Sequence, residues 1–189
     1  MIDQTARGET RWQRRRVLRG CKLASLAALA LAGCDIGPAK LPDMALYADG
    51  LDSPRSVTPQ PGVSFDPDNS ADGRGSVRID ATGERTVIEL ADVSIAAPKL
   101  PRLSYRAKLR GQNVTGRAYL EMWVTVRDKG VFFSRALHSQ LSGSSDWSTH
   151  EAPFFLEADQ EPTRAKLNVV IEGAGTVWVD AVTLRAGKN

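Results

Sequence analysis

The sequence predicts an all-β domain, an antiparallel β-sandwich, behind a short export leader. Three observations carry this. From residue 76 onward apolar and polar residues alternate with a period of two. The alternating runs are separated by Gly, Ser, Asp or Pro. Beyond residue 34 no stretch keeps a 3.6-residue apolar period over about eleven positions, the length an amphipathic helix needs to declare itself. Eight or nine short strands of this kind bury their apolar faces by closing into a sandwich or barrel.

The elements follow in chain order. Residues 1–33 read as a cleaved export signal. Five arginines fall between Arg11 and Arg19, and a short apolar run, Leu23 to Gly33, comes next. That run is well under the roughly 20 residues of a membrane-spanning helix. A basic segment, a short apolar segment and small residues describe a secretory signal. The ending Leu31-Ala32-Gly33-Cys34 resembles the lipobox of bacterial lipoproteins. The resemblance implies cleavage before Cys34, a diacylglycerol on its thiol and a fatty acyl chain such as palmitate on the new amino group. The thiol is the one good nucleophile in the stretch, and two or three acyl chains anchor stably where one does not. Upstream, Arg14-Arg15-Arg16-Val17-Leu18-Arg19 resembles the twin-arginine export motif, with Val17 in the usual phenylalanine position. Such a signal is an address rather than an anchor. Residues 34–44 then supply the lipidated cysteine and a tether containing Gly37 and Pro38, and residues 45–189 the sandwich. The expected location is the cell envelope, on the periplasmic or extracytoplasmic face of a membrane.

Within the domain, residues 49–75 are rich in Pro, Asp, Ser and Gly and read mostly as loop. "SVRIDA" (76–81) and "TVIELADVSI" (86–95) are the first alternating runs. In "RLSYRAKLRG" (102–111), Leu103, Tyr105, Ala107 and Leu109 share one face. In "GRAYLEMWVTVRD" (116–128), Ala118, Leu120, Met122, Val124 and Val126 face one way, and Tyr119, Glu121, Trp123, Thr125 and Arg127 the other. "GVFFSRALHS", "DWSTHEAPFFLE", "RAKLNVVIEG" and "GTVWVDAVTLRA" complete the set.

Charge and cysteine usage exclude several functions. The chain holds 25 Lys+Arg against 22 Asp+Glu; removing the seven and two in residues 1–34 leaves 18 against 20. The basic character therefore belongs to the leader, and no basic patch for nucleic acid is evident. Of the two cysteines, Cys21 departs with the leader and Cys34 is the lipid site, so none is left for a disulfide or a metal cluster. Catalytic signatures are also missing: there is no G-x-S-x-G, no H-E-x-x-H and no Gly-rich phosphate loop. Glu121 and Glu172 are the one conceivable carboxylate pair of a sandwich-fold glycosidase, and without an acidic signature around them the chain is expected not to be an enzyme. His138 and His150 make no ligand spacing and are expected to be solvated. Trp147 and Trp178 are expected at the core or its rim.

"GTVWVDAVTL" (175–184) resembles the closing strand of jelly-roll domains with the galactose-binding-like fold, which includes many carbohydrate-binding modules. "DNSADGRGSVRID" (68–80) resembles the loop and strand near the start of the same domains. The resemblance implies a structural Ca²⁺ at Asp180, although Ala181 stands where a second aspartate is usual. Asp66, Asp68, Asn69 and Asp72 offer the hard oxygen donors that such an ion takes. The polar face of 116–128 is the candidate ligand site: aromatic rings stack on the apolar faces of sugars, and charged groups bind their hydroxyls. Its expected members are Tyr119, Glu121, Trp123 and Arg127, flanked by Lys166 and Asn168 if the strands are neighbours, with Arg135 a lesser addition. The expected partners are a polysaccharide or glycan and the membrane, with another envelope protein as the alternative.

Overall fold

The computed structural model describes residues 44–96 and 100–187. The expected leader, Cys34 and all of the expected tether but Met44 lie outside the described residues. Seven strands carry the fold: β1 (Met44–Asp49), β2 (Val63–Asp66), β3 (Ser76–Ser94), β4 (Arg102–Val126), β5 (Gly130–Arg135), β6 (Leu141–Phe155) and β7 (Pro162–Gly187). Two single 3₁₀ turns, Pro54–Ser56 and Leu137–Ser139, are the only helical elements among the described residues. All pairings are antiparallel, in the order β2-β3-β7-β4-β5, with β1 added to β7 and β6 to β4.

The eight or nine short strands expected from the sequence need correction. β3, β4 and β7 run for 19, 25 and 26 residues, and each joins two of the alternating runs. The glycines between those runs bend the strands instead of ending them. Gly83, Gly173 and Gly175 take φ of 124°, 112° and 137°, which side chains rarely tolerate. At the bend, a Cβ on Gly116 would lie 2.0 Å from the Glu172 carbonyl oxygen, so only glycine allows the two backbones to cross there. The pairing register slips at the same level, between Thr82 and Arg85 on β3 and between Gln112 and Arg117 on β4. The three strands therefore turn over together. Their segments 76–82, 102–112 and 176–187, with β1, β2 and β6, build one layer; 85–94, 117–126 and 162–172, with β5, build the other.

The core lies between the layers, and the alternation placed it well. Leu103, Tyr105, Ala107 and Leu109 from one layer, and Ala118, Leu120, Met122, Val124 and Val126 from the other, are at most 1% exposed. Leu167, Val169, Ile171, Val177, Val179 and Leu184 of β7 complete the same cluster. Each aliphatic side chain buried this way contributes about 1.5–3 kcal/mol of gross stabilisation. Four polar side-chain atoms are enclosed without a partner among the described residues: Ser76 Oγ, Arg102 Nε, the Tyr105 hydroxyl and Ser145 Oγ. His150 is also buried, against expectation: Leu137–Ser139 folds over it, its Nδ1 meets the Ser139 carbonyl, and its Nε2 lies 2.9 Å from Ser148 Oγ.

Candidate functional site

The outer face of the second layer is a grid set by strand register. One row reads Val87, Val170, Tyr119; the next reads Glu89, Asn168, Glu121, Arg135. Below them come Lys166, Trp123, Phe133 and then Arg164, Thr125, Val131. β7 thus brings Lys166 and Asn168 directly beside Trp123 and Glu121, as the sequence expectation required. Arg127 does not join them. It lies past the end of β4, exposed, with Nε donating to Glu161 Oε2 at 2.9 Å.

Two expected ligand contacts turn out to be the floor of the face. Tyr119 is buried, its hydroxyl donates to Glu172 Oε1 at 2.9 Å, and the Arg117 guanidinium lies 5.7 Å from its ring centre. Burial first, and the Glu172 carboxylate second, push its phenol above the ordinary value. Glu121, also buried, accepts from Trp123 Nε1 at 2.8 Å and from Arg135 Nε at 2.6 Å. Arg85 approaches the same Oε2 at 3.5 Å. A carboxylate this deep in a sheet needs such partners, because an unpaired buried charge is costly. Its hydrogen bond with Arg135 stabilises the charged guanidinium in turn. Glu121 therefore orients the residues around it and has little left to offer a ligand.

Trp123 and Asn168 differ. Trp123 is half-buried: its N–H is fixed by Glu121, and its ring lies 5.3 Å from that of Phe133, tilted by 41°. Asn168 is 6% exposed, and its side chain makes no hydrogen bond with any described residue. It stands in register between Glu89 and Glu121. Lys166 closes the row below by binding Glu89 at 2.8 Å and Asp92 at 3.7 Å.

Sequence reasoning missed Arg85, Arg117 and Phe133, and weighed Glu172 only as a catalytic carboxylate. A signal for Phe133 was present. Val126 pairs with Gly130 across the turn "RDK", where Asp128 takes φ 57°, and that hairpin register sets Phe133 opposite Trp123. Arg85 and Arg117 flank bends that read as turns, so no local pattern pointed to them.

The side chains expected as calcium donors make the following contacts. Asp180, fully buried, does reach the 66–75 loop, but its oxygens accept backbone N–H groups: Ala71 at 2.7 Å, Asp72 at 2.9 Å and Ala181 at 2.7 Å. Asp66 accepts from Trp178 Nε1 and Asn69 Nδ2, both at 2.8 Å. Burial raises the Asp66 carboxyl, but these hydrogen bonds outweigh it and hold it below the usual range. Asp68 and Asp72 are exposed. Among the described residues no three metal-ligating side chains gather, and these donors do not fit an ion that takes six to eight oxygens. A side-chain cation stands at the loop instead: Lys108, paired in register with Asp180, donates from Nζ to the Ala71 carbonyl at 3.2 Å. Trp178 is buried beside it, between the guanidinium groups of Arg78 and Arg110 at 5.5 and 5.4 Å.

No family model matches the chain, and no curated protein matches it. Solved structures do. A family 22 xylan-binding domain from Paenibacillus barcinonensis aligns with a TM-score of 0.52 at 13% identity, over 78% of this chain and 97% of that one. The C-terminal family 22 carbohydrate-binding module of a Clostridium thermocellum protein aligns with a TM-score of 0.52 at 8% identity, over 76% and 93%. The fold is that of a carbohydrate-binding-module β-sandwich. For the Clostridium module, residues in a cleft act in ligand binding. At these identities the likeness is one of fold, and function has to be argued from the site.

Proposed function

We propose that this protein binds carbohydrate on the outer face of its second layer, without catalysis, while held to a membrane through a lipid on Cys34. The observation that carries the binding reading is Asn168. Its amide atoms are held by no described protein group and are not enclosed, so they are open to a sugar hydroxyl beside the half-buried Trp123 ring. The surrounding carboxylates suit binding better than hydrolysis. Glu172 is held below the ordinary glutamate range by Arg117 and Tyr119, whereas a glycosidase acid must be raised.

The experiment is a glycan array with the full chain, followed by calorimetry on the best ligand. Asn168→Ala and Trp123→Ala should each weaken binding about tenfold or more, the cost of one good hydrogen bond or one stacking surface. Melting temperatures should stay within a few degrees of the parent. Binding unmoved by both substitutions would sink the assignment of the face. Cys34→Ser should abolish lipid labelling and leave unprocessed precursor, and normal labelling of that variant would remove the anchor.

One observation favours a second reading, an envelope lipoprotein that contacts another protein. Val131, Phe132, Phe133 and Phe155 are exposed around a groove of about 340 Å³, and exposed aromatic patches mark protein interfaces. A blank glycan array, together with a specific cross-link from a photoreactive group at position 155, would favour it.

A further inference from the structure

We propose that the glycan bound on this face is acidic, a hexuronic acid polymer, and that Arg85 is the counter-ion of its carboxylate. This rests on the carbohydrate reading above and names the ligand class.

The inference follows from how the charges on the face are matched. Five ionised groups surround Tyr119: Arg85, Arg117, Arg135, Glu121 and Glu172. Each carboxylate already has close partners. Glu121 holds Arg135 at 2.6 Å and the Trp123 indole at 2.8 Å. Glu172 holds Arg117 at 2.6 Å and the Tyr119 hydroxyl at 2.9 Å. Arg85 comes only to 3.5 Å from Glu121 and 4.0 Å from Glu172, and its side chain is 46% exposed. Further along the face the charges balance, Arg164 with Asp92 and Lys166 with Glu89. The surplus positive charge therefore resides on Arg85.

Position makes that surplus useful. Arg85 belongs to the β3 edge of the layer, opposite Glu172, and reaches across the Val170–Tyr119 row to the Glu121 carboxylate. Glu121 is the register partner of Asn168. One half-exposed guanidinium, held only by long contacts, and one unpartnered amide thus converge on the same part of the face as the Trp123 ring. A guanidinium fork matches a planar carboxylate with two parallel N–H···O bonds. A neutral sugar would cover Arg85 and leave it, partly desolvated, with only its long contacts to Glu121 and Glu172.

The test uses the full chain in detergent and a panel of hexuronan oligosaccharides, each compared with itself after its carboxylates are reduced to primary alcohols. The acidic form of at least one should bind about tenfold tighter at low salt, as expected for one charge-assisted pair. The gap should shrink toward 1 M salt, where screening acts over about 3 Å. Arg85→Gln should remove the gap, so that the acidic and the reduced form bind that variant alike. Equal binding of the two forms overturns the acidic-ligand proposal but keeps the face as a glycan site. Binding of neither form, with a blank array, overturns both.

Discussion

The Trp123 indole donates to Glu121, a carboxylate two residues before it on the same face and almost wholly buried under Arg85 and Arg135. This makes Glu121 a structural group. Glu121→Gln keeps the shape but removes the charge that two guanidinium groups face. Because both arginines remain partly solvated, the cost should be about 1–3 kcal/mol, below that of breaking a fully buried pair. Urea denaturation checks it: an unchanged midpoint would mean that the carboxylate is not holding the face together.

Removing metal should have no effect on stability. Since Asp180 accepts from three backbone N–H groups and Lys108 donates to the Ala71 carbonyl, excess chelator should leave the melting curve in place. Lys108→Met should lower the melting temperature, by about 2–4 °C for each kcal/mol lost in a domain of this size. A drop on chelation of the parent protein would contradict this arrangement.

Acidification should weaken the fold through His150. Burial pushes the imidazole below its ordinary value, and the bond to the Ser139 carbonyl only partly opposes it. The unfolded chain therefore takes up a proton first, near pH 6.5, while the folded state stays neutral. The stability held above that pH is lost as pH falls through the folded-state value and then levels off. In His150→Gln the part of the pH dependence below about 6.5 should flatten; an identical profile would assign the loss to other groups.

Tyr105→Phe should be neutral or stabilising. The phenol is fully enclosed with an unpartnered hydroxyl, and burial pushes it far above its ordinary value. Removing that oxygen relieves a desolvation cost of about 1–3 kcal/mol, offset by the small void it leaves. A clear loss of stability would reveal a hydrogen bond that the core does hold.

The periodic parts of the fold were readable and the irregular parts were not. Alternation alone assigned Ala118, Leu120, Met122, Val124 and Val126 to the core side and Trp123 to the other, because a pleated strand offers only two faces. The glycines at 83, 173 and 175 misled, since a positive φ can either end a strand or bend it. What decides is whether a neighbouring strand continues alongside, which is a long-range fact. The site followed the same division. Asn168 and Lys166 were placed beside Glu121 and Trp123 because they share a parity with their strand, whereas Arg85 meets Glu121 at the full length of its side chain, beyond what register conveys. Tyr119 and Glu121 fell on the correct face, but their burial comes from Arg85, Arg117 and Arg135 lying over them.

The long bent strands also constrain when the fold can come into being. β7, the last strand, is the one that β1, β3 and β4 all pair with, so during synthesis the earlier strands must wait for the central one. Until residues 162–187 emerge, β3 and β4 expose open edges with no native neighbour between them. Assembly dominated by such distant pairings is slow, and the waiting chain is the form most open to aggregation and to chaperones. Loss of the final strand would leave no smaller sandwich behind, because both layers are laid on that one ribbon.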